Sequence, residues 1–133
     1  MSALVPPGST DTVFSVDTLL KYMGDDDKAR AVVTKIVRDA CAPAMTPLLQ
    51  AHQAIAEGRL ADAGRIFHAL RGSVGSLGAR RLVTASLALE LALAEQRMAD
   101  IPALFAAVED AYRQVLDQAG DWLAAHASDR GRP

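Results

Sequence analysis

The chain has little of what exported or membrane proteins usually carry. Of its 133 residues only Cys41 is a cysteine, so no disulfide can form within the chain, and a reducing compartment is the simpler expectation. The first twelve residues lack a basic segment followed by an apolar one, and no apolar run approaches the ~18 residues of a membrane span. We therefore expect a cytoplasmic protein with no membrane partner.

The chain also lacks a recognisable metal-ligand spacing and an excess of charge of one sign. The three histidines and the single cysteine do not share ligand spacing, which argues against a metal site. Lys and Arg number 14 against 16 Asp and Glu, so the composition gives no reason to expect nucleic acid as a partner. We predict no cofactor of the chain's own.

Strand-forming residues are sparse as well, since aromatic residues make up only 5% of the chain. Alanine and leucine are abundant and apolar residues recur at spacings of three and four, a pattern that predicts helices throughout. The predicted helices are 16–23, a second that starts at the acidic run 25–27 and ends at Gly58, with a kink or break between Cys41 and Thr46, then 60–76, 79–96, and a last one capped by Asp100. The resulting fold is all-α: an up-down-up-down four-helix bundle with a short extra N-terminal helix.

This bundle occupies residues 14–127 in our interpretation, between a flexible leader or linker at 1–13 and a flexible tail at 128–133. After the interruption, the apolar side of the second predicted helix continues with Leu48, Leu49, His52 and Ile55. The helix from Ala79 is apolar on much of its circumference, which favours a position between two neighbours.

One histidine in the helix at 60–76 lies on an unusually bare face. At 100° per residue, glycines 64, 72 and 75 fall within about 40° of His68, whereas Phe67 and Leu70 point roughly 100° to 160° away. Each glycine inside a helix costs about 1 kcal/mol relative to alanine. Three on one face indicate that another surface, or a bulky group on His68, must come close.

Residues around this histidine suit phosphoryl chemistry. A neutral imidazole has a ring nitrogen whose lone pair can attack phosphorus. Arg71, one helical turn on, can offer charge-assisted hydrogen bonds to a phosphoryl group on His68. Residues 58–89 contain five arginines and only one acid, Asp62, so this segment is basic. The arginines form either a solvated face or a surface for an acidic partner.

The stretch 67–82, F-H-A-L-R-G-S-V-G-S-L-G-A-R-R-L, resembles the signature of histidine-containing phosphotransfer (HPt) domains, and the likeness spans residues 14–126. It differs in Phe67, where alanine is commoner, and in Arg71, where lysine is commoner. The resemblance implies that His68 is the phospho-acceptor, that Arg71 supports the phosphoryl group, and that Gly72 admits a receiver domain. The residues expected at the partner surface are Gly64, Arg65, Gly72, Gly75, Arg80 and Arg81.

By the same resemblance the chain is a phosphoryl carrier without kinase activity of its own. Its partners would be a hybrid histidine kinase and the receiver domain of a response regulator, with Mg²⁺ held by the receiver, and the chain would be a monomer. The phosphotransfer domain of a chemotaxis-type kinase and a helical adaptor without phosphotransfer remain alternatives. A sensor kinase's dimerisation domain fits less well: that class has an acid directly after the histidine and a proline a few residues later, whereas here Ala69 follows His68 and the next proline is Pro102.

Overall fold

The computed structural model describes residues 11–130, and the side chains of residues 11–126. Every regular element in that range is an α helix, and no strand occurs there, which confirms the predicted all-α class. The helices are α1 (Asp17–Met23), α2 (Asp27–Cys41), α3 (Thr46–Ala56), α4 (Leu60–Gly75), α5 (Arg80–Ala94) and α6 (Ile101–Arg130). Within the same range, no helix combines the length and apolar character that crossing a bilayer requires.

The predicted interruption between Cys41 and Thr46 is confirmed. Ala44 has a φ of 51°, which takes the chain out of the helical path, and Pro47 lies in the first turn of α3. The hydroxyl of Tyr112 on α6 donates a 2.7 Å hydrogen bond to the carbonyl of Ala44. Burial raises the pKa of the Tyr112 hydroxyl to about 12.

Helix α4 has the buried face that the sequence predicts. Its side chains Phe67, Leu70 and Val74 are buried, and Phe67 meets Phe105 of α6 edge-on with ring centroids 5.8 Å apart. Helix α4 packs between α3 and α5, while α6 packs against α5 and α2. Truncating a fully buried phenylalanine costs about 3–5 kcal/mol, so Phe67 fixes which side of α4 faces solvent.

The N-terminal segment crosses the junction between α4 and α5. The amide of Ser15 donates to the carbonyl of Leu77, and the amide of Arg81 donates to the carbonyl of Thr12. Gly78 has a φ of 68°, and a Cβ there would lie 2.5 Å from the Ser15 carbonyl oxygen, so only glycine fits. Thr12 and its neighbour Val13, which packs against the core, therefore contact the bundle although the sequence places them in the predicted leader.

Residues 1–10 of that leader, and residues 131–133 of the predicted tail, lie outside the described residues. The tail was predicted to begin at Ser128, but the backbone of α6 stays helical to Arg130.

The buried stripe of α3 differs from the predicted one. In α3 the buried residues are Leu48, Ala51 and Ala54, whereas Leu49 is 68% exposed. Leu49 lies about 100° from Leu48 around α3 and so falls off its buried face, and His52 lies exposed beside Phe105. Helix α5 packs between α4 and α6, as predicted, although Leu87 and Leu91 remain 48% and 53% exposed.

Candidate functional site

His68 lies in the middle of α4 with 73% of its side chain exposed. Because Phe67 and Leu70 bury the opposite face, the imidazole points away from the core. It borders an open groove of about 640 Å³ between α4 and α5, which we call the His68 groove. Its lining residues are Leu60, Ala61, Gly64, Arg65, His68, Glu90, Leu93, Ala94 and Gln96.

The glycines beside His68 are not required by contacts within the chain. A Cβ built on Gly64 or on Gly72 would meet no other atom within 4 Å, and one on Gly75 would reach only Val83 Cγ2, at 3.8 Å. All three have helical backbone where alanine would be more stable by about 1 kcal/mol. Their small size leaves space outside α4 rather than inside the fold.

Arg71 and Glu90 form a two-pronged ion pair beside the histidine. Nε and Nη2 of Arg71 donate to Oε2 and Oε1 of Glu90 at 2.8 and 2.9 Å. Nη2 of Arg71 also lies 2.8 Å from Nδ1 of His68. The pairing raises the pKa of Arg71 and lowers that of Glu90, so both groups are charged at neutral pH.

A buried hydroxyl holds the far side of Glu90. Ser86 Oγ, fully buried one turn earlier on α5, lies 2.9 Å from Oε2 of Glu90 and 3.3 Å from the Phe67 carbonyl. A serine has only one proton to donate, and the charged, closer carboxylate is the stronger acceptor. Glu90 is thus fixed from two sides, and through it Arg71 is fixed next to His68.

The hydrogen bond from Arg71 defines the state of the ring. A guanidinium has no acceptor, so Nδ1 of His68 must accept, and a neutral ring then carries its proton on Nε2. Nε2 has no hydrogen-bond partner among the described residues. Oε1 of Glu90 lies 3.8 Å from Nδ1. A small movement of the side chain would let this oxygen accept a hydrogen bond from a protonated Nδ1.

The arginines predicted at the partner surface are not equally placed. Arg65, on the rim of the His68 groove, pairs with Asp62 one turn earlier. Arg80 is exposed at the first turn of α5, near Gly75. Arg81 instead bonds Gln114 and lies 3.7 Å from Asp110 on α6, away from His68.

These ion pairs partly neutralise the net positive charge that the sequence gives to residues 58–89. Arg59, for example, bonds both Glu57 and Asp62. The structure therefore brings His68 and Arg65 to one groove, with Arg71 against the His68 ring, but places Arg81 on another side of α5.

Comparison with protein-family models identifies the family. The model described as Hpt domain matches residues 35–119, from the second half of α2 into α6. The chain belongs to the Hpt domain family. No curated protein and no solved structure shows significant similarity to it. Hpt domains are phosphocarriers that take part in histidine phosphotransfer in two-component signalling and interact with receiver domains.

Sequence reasoning missed Glu90 in this Hpt domain. The sequence does contain an indication of its role, because Glu90 is the sole acid among the fifteen residues of α5 and stands in an apolar run. A lone carboxylate in such a run needs a partner, but the sequence does not show which of the chain's arginines lies opposite it. The other histidines have ordinary surroundings, with His52 against Phe105 and His126 stacked on Trp122. No group of three potential metal ligands occurs among the described residues.

Proposed function

We propose that this Hpt domain accepts a phosphoryl group on Nε2 of His68 from the aspartyl phosphate of a hybrid kinase's receiver domain and passes it to an aspartate of a response regulator. The observation that carries this proposal is that the exposed imidazole of His68 lies against the fixed guanidinium of Arg71, on a helix face where glycines leave open space. In the transfer step the Nε2 lone pair forms the N–P bond while the acyl O–P bond breaks. The aspartate leaves as a carboxylate.

The ring must change its hydrogen bonding for this step. Attack by Nε2 needs its lone pair free, so the proton has to reside on Nδ1, and the Nδ1–H then needs an acceptor. Glu90 is placed for that role, 3.8 Å from Nδ1. When Arg71 turns its Nη2 from Nδ1 toward the incoming phosphoryl oxygens, Glu90 can take its place at the ring.

Arg71 would stabilise the negative charge of the phosphoryl group during and after transfer. A guanidinium donates two parallel hydrogen bonds to a phosphoryl group, whereas a lysine acts as a point charge. Because Arg71 is held by Glu90 before transfer, it is already close to the ring and loses little freedom in reaching the phosphoryl group.

The remaining parts of the proposal concern what the partner supplies. We place Mg²⁺ in the receiver domain, so that this chain supplies only the nucleophile and the supporting cation and has no kinase activity. Gly64, Gly72 and Gly75 leave room for the receiver, with Arg65 and Arg80 at its edges. We further propose a cytoplasmic monomer in which residues 14–127 form an up-down-up-down bundle.

A donor assay tests the function. The purified chain is incubated with a panel of phosphorylated receiver domains from hybrid kinases, and separately with ATP and a chemotaxis-type kinase. We expect an acid-labile phosphoryl group to appear with at least one receiver and to be returned to a second receiver. Labelling by the ATP-bound kinase alone would favour the chemotaxis-type alternative, and labelling by neither donor would leave a binding role and contradict the proposal.

A further inference from the structure

One polar side chain of the core does not serve the backbone of its own helix. Ser86 and Thr34 are the buried polar residues among the described side chains, and Ser86 is fully enclosed. The Thr34 hydroxyl bonds a carbonyl of its own helix one turn earlier, as helical threonines commonly do. Ser86 Oγ instead lies 2.9 Å from the carboxylate of Glu90 and 3.3 Å from the carbonyl of Phe67 on α4. The Ser86 hydroxyl is therefore directed at the groups that border the histidine.

Packing does not explain why this position holds a serine. An alanine would fill nearly the same space, is the better helix former and has no hydroxyl to bury. The Phe67 carbonyl lies inside α4, where helical geometry supplies the amide of Arg71 as its partner. The side chain of Arg71 bonds both oxygens of Glu90. In the described geometry these groups would thus be paired without the Ser86 hydroxyl.

The two oxygens of the Glu90 carboxylate have different neighbours. Oε2 lies 2.9 Å from Ser86 Oγ, whereas Oε1 lies 3.8 Å from Nδ1 of His68. Arg71 bonds both oxygens, but the proposed transfer step takes its guanidinium to the phosphoryl group. After that movement, Ser86 is the hydrogen-bond donor among the described residues that still holds the carboxylate. A carboxylate held at Oε2 keeps Oε1 directed at the ring.

Resting on the proposed function, we propose that Ser86 is a positioning residue for phosphotransfer, which holds Glu90 through Oε2 while Oε1 accepts the hydrogen bond of Nδ1–H. The Nε2 lone pair forms the bond to phosphorus as the leaving group departs with the electron pair of its own bond, so the ring gains positive charge. A carboxylate that is already fixed stabilises this charge without having to reorganise. Ser86 touches neither the ring nor the phosphoryl group and acts only through Glu90.

The charge state of Glu90 agrees with this role. Arg71 lowers the pKa of the Glu90 carboxyl most, and the hydrogen bond from Ser86 lowers it further, against the opposing effect of burial. When Arg71 moves away, the Ser86 hydroxyl therefore continues to favour the carboxylate, which is the form that accepts from Nδ1–H.

The first test measures how fast phosphoramidate labels His68. This small donor needs no docking, and its phosphorus–nitrogen bond breaks as ammonia leaves with the electron pair. We expect Ser86→Ala to be labelled about fivefold more slowly than wild type, because a hydrogen bond to a charged group is lost in the transition state. Thr34→Val, which removes a buried hydroxyl from α2, is the control and should be labelled at the wild-type rate. Labelling of Ser86→Ala at the wild-type rate would overturn the proposal.

A double-variant cycle separates positioning from a general effect on the fold. Because Ser86 acts only through Glu90, Ser86→Ala should slow labelling no further when Glu90→Gln is already present. Two independent slowing factors that multiply would overturn the proposal. Should Ser86→Ala lose helicity, Ser86→Cys, whose thiol is only a weak donor, carries the same comparison.

Nuclear magnetic resonance of the phosphorylated chain gives a readout that a loss of stability would not move. The Nδ1–H proton of His68 should resonate downfield in wild type, where it is bonded to a carboxylate. It should move upfield in Ser86→Ala, as that bond weakens, and keep its position in Thr34→Val. An unchanged resonance in Ser86→Ala would overturn the proposal. Failure of every receiver to label wild type would instead contradict the proposed function, because the comparisons of Ser86 need only phosphoramidate.

Discussion

Nδ1 of His68 lies 2.8 Å from Nη2 of Arg71, which makes the arginine the hydrogen-bond donor and the ring nitrogen the acceptor. The arrangement leaves a neutral ring with its proton on Nε2, the nitrogen that we expect to attack phosphorus. The described geometry is therefore a resting state. Transfer requires the proton to move to Nδ1 and Arg71 to move toward the phosphoryl group.

Glu90→Gln tests the acceptor assigned to Nδ1–H. The amide oxygen is a weaker acceptor than a carboxylate and no longer holds Arg71 as an ion pair, so labelling of His68 by phosphoramidate should slow by about tenfold. Glu95→Gln, an exposed glutamate that pairs with Arg97, is the matched control and should label at the wild-type rate. Equal rates for Glu90→Gln and wild type would remove Glu90 from the mechanism.

The pair Glu90–Arg71 also predicts how stability depends on pH. Arg71 holds the pKa of Glu90 below its ordinary 4.5 in the folded chain, so the unfolded chain binds the proton more tightly. The stabilisation is fully present above 4.5 and is lost as the pH falls through the lower folded value. Urea unfolding should show Glu90→Gln less stable than wild type by about 1 kcal/mol at neutral pH, with the difference shrinking in acid. A difference that stays constant with pH would argue against the ion pair.

Gly72→Gln adds bulk at the centre of the proposed docking face. Because a Cβ at Gly72 meets nothing within 4 Å, the variant should fold and be as stable as wild type or up to about 1 kcal/mol more stable. Transfer from a receiver should nevertheless fall by about tenfold or more. Gly120→Gln, an equally open helical glycine on α6, should leave transfer unchanged. Unimpaired receiver transfer by Gly72→Gln would show that the partner docks elsewhere.

Gly78→Ala should act on stability rather than on chemistry. The left-handed backbone costs a non-glycine residue about 1–2 kcal/mol, and the added Cβ would strike the Ser15 carbonyl at 2.5 Å. We expect a loss of about 2 kcal/mol or more in the free energy of unfolding, measured by thermal or urea denaturation. The control, Gly120→Ala, should gain about 1 kcal/mol. A neutral Gly78→Ala would mean that the N-terminal segment is not fixed over the α4–α5 junction.

The sequence predicts the helices and the face of α4 because both depend on local periodicity. Phe67 and Leu70 are buried and His68 is exposed, as the 100° rotation per residue requires. The break before Thr46 follows from two prolines. These features need no knowledge of which helix lies next to which.

The features that the sequence does not predict arise between helices. The contact of Arg71 with Glu90 joins residues nineteen apart in the chain, and only the packing of α4 on α5 decides that they meet. Arg81 lies in the same basic segment as His68, yet its direction is set by Gln114 of α6. Leu49 was assigned to the apolar stripe beside Leu48, but adjacent helical residues lie about 100° apart, and the packing of α3 buries only the side that carries Leu48.

The most direct test of the account replaces the phospho-acceptor. His68→Gln and the matched His52→Gln, an exposed histidine on α3, are incubated with the same phosphorylated receiver, and the acid-labile label on each chain is counted. We predict full labelling of His52→Gln and none of His68→Gln, with unchanged helicity in both. Label on His68→Gln at the wild-type level would contradict the assignment of His68 as the residue that carries the phosphoryl group.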